Sequence, residues 1–475
     1  MTKPNTLRMT CYMILGYFLA ATAAQAQVQF KTIFDFNGTD GVAPQYMFLI
    51  QATDGNFYGT TTLGGQDGAG TVFKITPSGQ QSVLYNFCIN CPTGSSPYAG
   101  VVQATDGNFY GTTYEGGNYG QGTVFKITPA GELTSLYSFC LGGAPCVDGN
   151  LPTAALVQGS DGNLYGTTTE GGAFGEAFGG TLFRITLGGT LTTLYSFGSG
   201  TDGNDPFGGL VEGTDGNLYG TTAWGGANGW GTVYRATLDG AETVIYNFCP
   251  VSGCADGSDP DGPLVQGVDG SLYGTTRLGG TTRENGQGTV FKITLSGNLT
   301  TLYRFCEHPV GKQGDCPDSG LPIVGLTLAS NGYLAGTTGG AFHRATIFGM
   351  SSTGSNFEQY TQANNLAAGL LQGTNGLFYG MAGTNNGSIF SLGVGLGTFI
   401  KTIPTFGPPS AFVTILGANL KSATSVTFNG IPTTFTVVSA SEITTNVPTG
   451  ATTGRVKVIT SGGTLTSNLP FAVTP

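Results

Sequence analysis

Charged side chains are scarce in this sequence, at 9% of its 475 residues, with 17 Lys and Arg against 27 Asp and Glu. The formal net charge at pH 7 is −10. A chain with so few cations is poorly suited to neutralise a run of phosphates, so we expect no nucleic acid partner. The surface should consist largely of Thr, Asn, Ser, Gln and backbone groups.

Histidine is also nearly absent. His308 lies between Cys306 and Cys316, and His343 lies at the edge of a predicted strand. The two are far apart in sequence and have no companions, so no metal triad and no Ser-His-Asp arrangement can be assembled from them. This disfavours histidine-based catalysis.

Long apolar runs are missing beyond the N-terminus. Residues 1–26 carry Lys3 and Arg8, an apolar stretch from Tyr12 to Ala21, and a small-residue end at Ala24-Gln25-Ala26. This pattern predicts a signal peptide over 1–26. Because no second run is long enough to span a bilayer, we expect a mature chain without a transmembrane helix. It should be secreted and lie outside the cell, in the periplasm or at the cell surface.

Glycine is abundant, with 82 residues, and it punctuates an internal repeat. An Asp-Gly-Asn or Asp-Gly-Ser turn, followed by an aromatic residue and Gly, recurs at intervals of 44 to 62 residues. Five full copies and two degraded ones begin at Asp54, Asp106, Asp161, Asp215, Asp269, Asn331 and Asn375. This period is close to that of kelch-type propeller blades.

Each repeat holds four strand-sized apolar runs, for example Gly209–Glu212, Leu218–Thr222, Thr232–Ala236 and Thr243–Phe248. Tight Asp-Gly turns join the first run to the second, and a longer Gly-rich connection joins the second to the third. The pattern predicts a four-stranded antiparallel meander that cannot bury both faces alone. We therefore predict an all-β chain with a seven-bladed β-propeller over 27–398.

Ring closure can also be predicted from the repeat. The last copy supplies three strands, and its fourth is missing. Lys31–Phe36 aligns with the fourth strand at Thr134–Phe139. We therefore expect Lys31–Phe36 to pair with Ser388–Leu392 and to complete the last blade.

The nine cysteines are placed regularly once Cys11, inside the predicted signal peptide, is set aside. Four of them follow the last Phe of a fourth strand, and each has one partner shortly downstream. These pairs are Cys88 with Cys91, Cys140 with Cys146, Cys249 with Cys254, and Cys306 with Cys316. Fourth strands that lack the first cysteine also lack the second, which predicts four local disulfides in an exported protein. Zinc is the rival interpretation, and Cys88 and Cys91 alone have suitable spacing for it.

The repeat ends near Phe399, where short alternating segments without cysteine begin. The segments ILGANL, ATSVTFNGIP and VPTGATTGRVKV start at Ile415, Ala423 and Val447. They closely resemble the IPT/TIG domain, which implies an immunoglobulin-like β-sandwich over 399–475.

The repeats resemble the choice-of-anchor tandem repeat GloVer-containing proteins. The resemblance rests on phrases such as GTVFKIT, beginning at Gly70 and Gly122, and LYSF, ending at Phe139 and Phe197. It implies secretion or surface attachment, but no established activity and no catalytic residues.

A meander places alternate turns at opposite ends of a blade. The Asp-Gly-Asn turns share one end, here the DGN rim, with the turns between third and fourth strands. The connections between second and third strands share the other end, here the variable rim, with the interblade loops. The variable rim differs in length and chemistry between copies, and binding surfaces are usually built on such loops.

Seven residues of the variable rim are candidates for ligand binding: Tyr114, Glu115, Tyr119, Glu170, Trp224, Trp230 and Arg277. Exposed aromatic faces stack on sugar rings or peptide side chains, and polar neighbours fix their orientation. We predict a shallow patch for an extracellular glycan or protein ligand, centred on blades two to four. The alternative is that the aromatics fold inward and cap the blade ends.

The function expected from the sequence is that of an exported, noncatalytic binding or surface-interaction protein. One alternative is a polysaccharide-active hydrolase or lyase, for which Glu115 and Glu170 would be the carboxylate pair. Gene duplication alone also explains their equivalent positions in adjacent blades. A second alternative is a structural envelope or matrix protein.

One interblade loop has acidic residues at roughly the spacing of calcium loops, namely Asp256, Asp259 and Asp261. The same Asp-Gly-x-x-Pro pattern occurs at Asp148–Pro152, where it is typical of an ordinary turn. Calcium and an ordinary turn both remain open here, and the sequence implies no other cofactor.

Overall fold

The computed structural model describes residues 28–42, 48–175, 179–281, 286–308, 316–339, 345–363, 366, 368–383 and 386–474. The predicted signal peptide lies outside these residues. Within them the regular structure is almost entirely β, and the one helix is a 3-10 turn at Leu420–Ser422.

The repeat region begins with strand β1 (Gln29–Asp35). In the described residues it forms seven four-stranded antiparallel sheets, named repeat sheets 1 to 7 in chain order. Sheet 1 contains β2 (Ile50–Gln51), β3 (Phe57–Thr61), β4 (Gly68–Ile75) and β5 (Gln81–Cys88). Sheet 2 contains β6 (Val102–Gln103), β7 (Phe109–Thr113), β8 (Thr123–Ile127) and β9 (Leu133–Ser138). Sheet 3 contains β10 (Val157–Gln158), β11 (Leu164–Thr168), β12 (Thr181–Ile185) and β13 (Leu191–Ser196).

The later repeats have the same order. Sheet 4 contains β14 (Val211–Glu212), β15 (Leu218–Thr222), β16 (Thr232–Ala236) and β17 (Glu242–Asn247). Sheet 5 contains β18 (Val265–Gln266), β19 (Leu272–Thr276), β20 (Thr289–Ile293) and β21 (Leu299–Arg304). Sheet 6 contains β22 (Thr327–Leu328), β23 (Leu334–Thr337), β24 (Ala345–Met350) and β25 (Glu358–Ala363). Sheet 7 contains β26 (Leu371–Gln372), β27 (Phe378–Ala382), β28 (Ser388–Gly393) and strand β1.

The Asp-Gly-Asn turn explains why the first two strands of each sheet form a hairpin. In sheet 4, Gly216 has a φ of 77°, which only glycine adopts readily. The Asp215 carboxylate accepts hydrogen bonds from the Asn217 backbone N–H, at 3.3 Å, and from the Tyr219 hydroxyl, at 2.8 Å. The repeated residues thus fix both the turn and the first aromatic side chain of the next strand.

The predicted pairing of the N-terminal strand with the last repeat is confirmed. Strand β1 is antiparallel to β28, with Lys31 opposite Ser391 and Phe34 opposite Ile389. The most N-terminal strand therefore supplies the fourth strand of sheet 7.

Apolar faces of neighbouring sheets pack against each other. Tyr219, Val233 and Phe248 of sheet 4 share one buried cluster with Leu272 and Phe291 of sheet 5. Such burial provides the main stabilisation, because a single small sheet exposes both of its faces.

Sheet 7 packs against sheet 1 in the same way. Phe57 and Phe73 of sheet 1 cluster with Tyr379, Met381 and Ile389 of sheet 7. The ring centroids of Phe57 and Tyr379 are 4.1 Å apart. The first and last sheets are therefore neighbours in space.

A second contact between sheets recurs at the DGN rim. The Thr53 backbone N–H in the turn of sheet 1 donates to Oε1 of Gln103 in the first strand of sheet 2, at 2.9 Å. Equivalent bonds run from Thr105 to Gln158, Ser160 to Glu212, Thr214 to Gln266, and Ser330 to Gln372. A sixth bond, from Thr374 of sheet 7 to Gln51 of sheet 1, has a length of 2.9 Å.

The C-terminal region is a β-sandwich. Its strands are β29 (Lys401–Ile403), β30 (Phe406–Gly407), β31 (Phe412–Leu416), β32 (Ser425–Phe428), β33 (Ile431–Thr433), β34 (Phe435–Val437), β35 (Glu442–Asn446), β36 (Gly454–Thr460) and β37 (Gly463–Val473). One sheet has the order β29-β31-β35-β34, and the other has the order β30-β37-β36-β32-β33. Val413, Ile415 and Ile443 of the first sheet bury their side chains with Val426 and Val458 of the second. This arrangement agrees with the predicted immunoglobulin-like sandwich.

The sandwich contacts the DGN rim of sheets 1 and 7. The Ser441 hydroxyl donates to the Thr53 carbonyl at 2.7 Å, and the ammonium of the half-buried Lys401 donates to the Gln372 carbonyl at 2.6 Å. Burial lowers the pKa of Lys401 to about 8. Since the sandwich occupies the DGN rim, it leaves the opposite, variable rim uncovered by these contacts.

Candidate ligand-binding cavity

The variable rim is held in shape by backbone pairing between each inter-sheet loop and the connection that follows it. Asn204, in the loop entering sheet 4, pairs with Trp224: the Asn204 N–H donates to the Trp224 carbonyl at 2.9 Å. Ser95 pairs with Glu115 and Asn150 pairs with Glu170 in the same manner. The residue before each Gly-Gly is thereby fixed against the loop beside it.

A cavity of about 630 Å³ lies on this rim across sheets 2, 3 and 4. Its volume is within the range usual for small-molecule sites. The side chains that define its chemistry are Tyr98, Tyr114, Glu170, Asp205, Phe207 and Trp224. Three of the seven predicted binding residues, namely Tyr114, Glu170 and Trp224, therefore line one cavity.

Aromatic rings form part of the cavity lining. The ring centroids of Tyr98 and Tyr114 are 4.7 Å apart, and those of Trp224 and Trp230 are 6.3 Å apart. Trp224 is 40% exposed and Trp230 is 41% exposed. The two tryptophans are thus accessible at the surface instead of being buried in the sheet ends.

Two carboxyl groups belong to the same lining. Burial, together with the nearby charges of Asp259 and Glu170, raises the pKa of Asp205 to about 6. Burial also raises the pKa of the Tyr114 hydroxyl, with Glu170 as the largest electrostatic cause. The electrostatic part of both shifts comes mainly from carboxylates, which indicates a negative potential inside the cavity.

Two polar groups of the lining have no hydrogen-bond partner among the described residues. They are the Oγ1 of Thr153, which is 8% exposed, and the Oδ1 acceptor of the half-buried Asn204. Buried polar groups are normally satisfied, so these two unpartnered atoms are unusual.

Arg277, also predicted to bind ligand, lies outside this lining. Its guanidinium contacts Asp259 Oδ2 at 2.6 Å and Asp261 Oδ2 at 3.4 Å. Asp256, the first of the three acidic residues in the predicted calcium loop, accepts a hydrogen bond from the Tyr246 hydroxyl at 2.9 Å. No group of three or more His, Cys, Asp or Glu side chains in the described residues is placed to hold a metal ion. Calcium binding at this loop stays a prediction.

The structure does not bring Glu115 and Glu170 into one cavity. Glu115 lines a separate depression of about 520 Å³ together with Leu63 and Ile89. Tyr119 is exposed and lies outside the residues that line the larger cavity. The predicted patch thus divides into cavity residues and neighbouring rim residues.

All four predicted cysteine pairs are disulfide-bonded. Three of the inter-sheet loops that contain these disulfides also carry an acidic anchor after the second cysteine: Asp148, for example, accepts from the Tyr137 hydroxyl at 2.7 Å. Disulfides and anchors together order the loops that lead into the variable rim.

Sequence reasoning did not assign Tyr98, Thr153, Asp205 or Phe207 to the ligand-binding patch. All four lie directly beside a proline of an inter-sheet loop: Pro97, Pro152 or Pro206. This proline recurs among the copies, whereas its neighbours vary. Comparing the neighbours would have singled out these residues.

No helix in the described part of the chain is long and apolar enough to cross a membrane.

Comparisons with known proteins agree with the two-part organisation. Residues 16–177 and 155–396 match the Gloeobacter/Verrucomicrobia repeat, and residues 399–473 match the IPT/TIG domain. No curated protein matches the chain.

Two solved structures from Bacteroides thetaiotaomicron are similar to it. The first is described as the extracellular domain of a hybrid two-component system, with a TM-score of 0.50 and 11% identity over 95% of this chain and 60% of that one. The second is an auxiliary nutrient binding protein, with a TM-score of 0.42 and 13% identity over 77% of this chain and 76% of that one. At such identities the likeness concerns the fold alone. The repeat matches extend over most of the sequence, and the chain therefore belongs to the Gloeobacter/Verrucomicrobia repeat family.

Proposed function

We propose that this chain is an exported, noncatalytic binding protein whose seven repeat sheets are the blades of a closed propeller. Six hydrogen bonds between neighbouring sheets support the ring, and the Thr374 to Gln51 bond links its last sheet to its first. The signal-like sequence at 1–26 and the four disulfides support export.

The observation that carries the binding function is the cavity of about 630 Å³ on the variable rim. It combines aromatic faces with the carboxyl groups of Glu170 and Asp205, and this is the usual composition of a ligand site. The ligand is a carbohydrate or a peptide outside the cell. The IPT/TIG sandwich, docked on the opposite rim, serves as a spacer or docking module.

We expect Trp224→Ala to weaken ligand binding at least tenfold, because aromatic side chains that become buried on binding usually contribute most of the binding free energy. The measurement is binding of the mature protein to a glycan array, a peptide array and insoluble polysaccharides, followed by affinity determination for the hits. Phe412→Ala is the matched control, since Phe412 is an exposed aromatic of the sandwich. Hits whose affinity is equal in wild type and Trp224→Ala would place the binding site elsewhere.

Hydrolysis or elimination on a polysaccharide is a second candidate function. Glu170 and Asp205 share the cavity, and the raised pKa of Asp205, about 6, suits a general acid near neutral pH. Release of soluble products by wild type, lost in both Glu170→Gln and Asp205→Asn, would favour an enzyme. If the protein is not retained on polysaccharide and releases no product, a structural envelope or matrix protein is favoured.

A further inference from the structure

We propose that the cavity on the variable rim binds an organic ammonium group, carried by a lysine side chain or by a small aliphatic amine. The inference rests on the proposed binding function and assigns one functional group, an organic ammonium, to the ligand of that cavity. Charge, ring chemistry and hydrogen-bonding capacity each support it.

The charge balance of the cavity favours a cation. Glu170 and Asp205 supply two carboxyl groups, and no Lys or Arg is among the described residues that line the cavity. The nearby Arg277 is engaged with Asp259, which is 1% exposed, and with Asp261. The negative charge of the lining is therefore not neutralised from within its own wall. A bound cation would be attracted to it in a site of low dielectric constant.

The rings of the lining suit the same ligand. Cations are attracted to the faces of aromatic rings within about 6 Å, and tryptophan is the strongest partner. Tyr98 and Tyr114 lie together, and Trp224 and Phe207 belong to the same cavity. Because carboxylates and several aromatic rings line the same cavity, both kinds of group attract a single bound cation.

Hydrogen bonding supplies an observation independent of charge. An ammonium group has three donors and no acceptor. The Thr153 Oγ1 and the Asn204 Oδ1 have no hydrogen-bond partner in the described residues, and each has less than 1 Å² of accessible surface. The Glu170 Oε2 already accepts from Asn150 Nδ2 at 3.2 Å, which holds this carboxylate in place. A donor-only ligand would satisfy the carboxylates directly, and it would reach the two unpartnered acceptors only after a local shift of the cavity wall.

The test is isothermal titration calorimetry of the mature protein at pH 7.5 with three probes. Nα-acetyl-L-lysine N-methylamide represents a peptide lysine, and 1,5-diaminopentane represents a free amine. Nα-acetyl-L-norleucine N-methylamide has nearly the same shape as the first but no charge. We expect saturable binding of at least one amine and at least tenfold weaker binding of the norleucine probe. Tighter binding of the lysine probe indicates a peptide ligand, and tighter binding of the diamine indicates a small amine.

Variants separate the cavity from general surface charge. Asp205→Asn and Glu170→Gln should each weaken amine binding at least tenfold. Glu132→Gln removes an exposed carboxylate on the DGN rim and should leave binding unchanged. Glu132 is hydrogen-bonded to Thr128 through its backbone N–H and carbonyl. Using two cavity variants keeps the test valid if one of them fails to fold.

Lowering the pH supplies a further readout. The carboxyl of Asp205 faces Glu170 and Asp259, and Asp259 in turn contacts Arg277 and interacts with Asp261. Protonation of Asp205 removes a negative charge from the lining, so amine affinity should fall as the pH drops through about 6.

Two results would overturn the proposal. One is an affinity for the norleucine probe that equals the affinity for the tighter-binding amine. The other is the absence of amine binding in a protein that still binds a neutral oligosaccharide in a Trp224-dependent manner, which would preserve the proposed binding function but not the ammonium class. If the protein binds no amine and no array ligand, both this proposal and the proposed binding function are overturned.

Discussion

At the scale of single residues, folding and ligand binding make opposite demands on Asp205. This residue precedes Pro206 with a φ of 56°, in the left-handed region that few residues other than glycine adopt. Its carboxyl is partly buried beside Glu170 and Asp259, so ionisation is unfavourable in the folded protein. Residues that destabilise the folded state in this way are commonly found at functional sites.

We therefore expect Asp205→Asn to raise the free energy of unfolding at pH 7.5 by on the order of 2 kcal/mol. The pKa rises from 3.8 to about 6 on folding. The carboxyl of Asp205 therefore does not reduce the free energy of unfolding below pH 4, and it reduces it as the pH rises through about 6. The Asp205→Asn variant lacks this pH-dependent loss, so its higher free energy of unfolding relative to wild type should vanish at pH 4. Urea denaturation at both pH values measures the difference, and a variant that is less stable at both would contradict the electrostatic explanation.

At the scale of elements, paired threonines fasten the second strand of a sheet to the third at the variable rim. In sheet 4, the Oγ1 atoms of Thr222 and Thr232 are 2.9 Å apart, and the Thr232 backbone N–H donates to Thr222 Oγ1 at 3.2 Å. The same pair recurs in other repeats, for example Thr113 with Thr123. These hydroxyls set the base from which the long connection carrying Trp224 leaves the sheet.

Thr222→Val should lower the free energy of unfolding by about 1–3 kcal/mol, because it leaves the buried Thr232 donor without an acceptor. Thr222→Ser keeps the hydroxyl and serves as the control, with a smaller loss. Thermal or urea denaturation gives the comparison. Equal losses in the two variants would show that the methyl group contributes as much as the hydrogen bond, which would contradict the prediction.

The strands and turns of the repeat could be predicted because their chemistry is local. Asp215, Gly216 and Tyr219 specify the hairpin by themselves, and each disulfide closes a short loop. The cavity depends on contacts between repeats, which no local pattern reveals. Glu115 and Glu170 hold equivalent positions, yet each lies against the loop that enters its own sheet, and so they line different depressions.

At the scale of the whole molecule, the two ends of the repeat region have separate roles. The DGN rim carries the repeated hydrogen bonds between sheets and the contacts of Ser441 and Lys401 with the sandwich. The variable rim carries the cavity, the disulfide-closed loops and both tryptophans. Because the sandwich docks on the DGN rim, ligand binding and attachment through the sandwich would not compete for the same surface.

The central claim is that ligand binds in the cavity beside Trp224. Trp224 and Trp230 are the two tryptophans of the sequence, so intrinsic tryptophan emission reports on this part of the rim. The decisive measurement is the emission of the mature protein titrated with Nα-acetyl-L-lysine N-methylamide and with a mixture of neutral oligosaccharides. We expect a probe that binds to change the tryptophan emission in a saturable manner. This change should be lost in Trp224→Ala. Binding detected by calorimetry without any change in emission, and with equal affinity in Trp224→Ala, would contradict the claim.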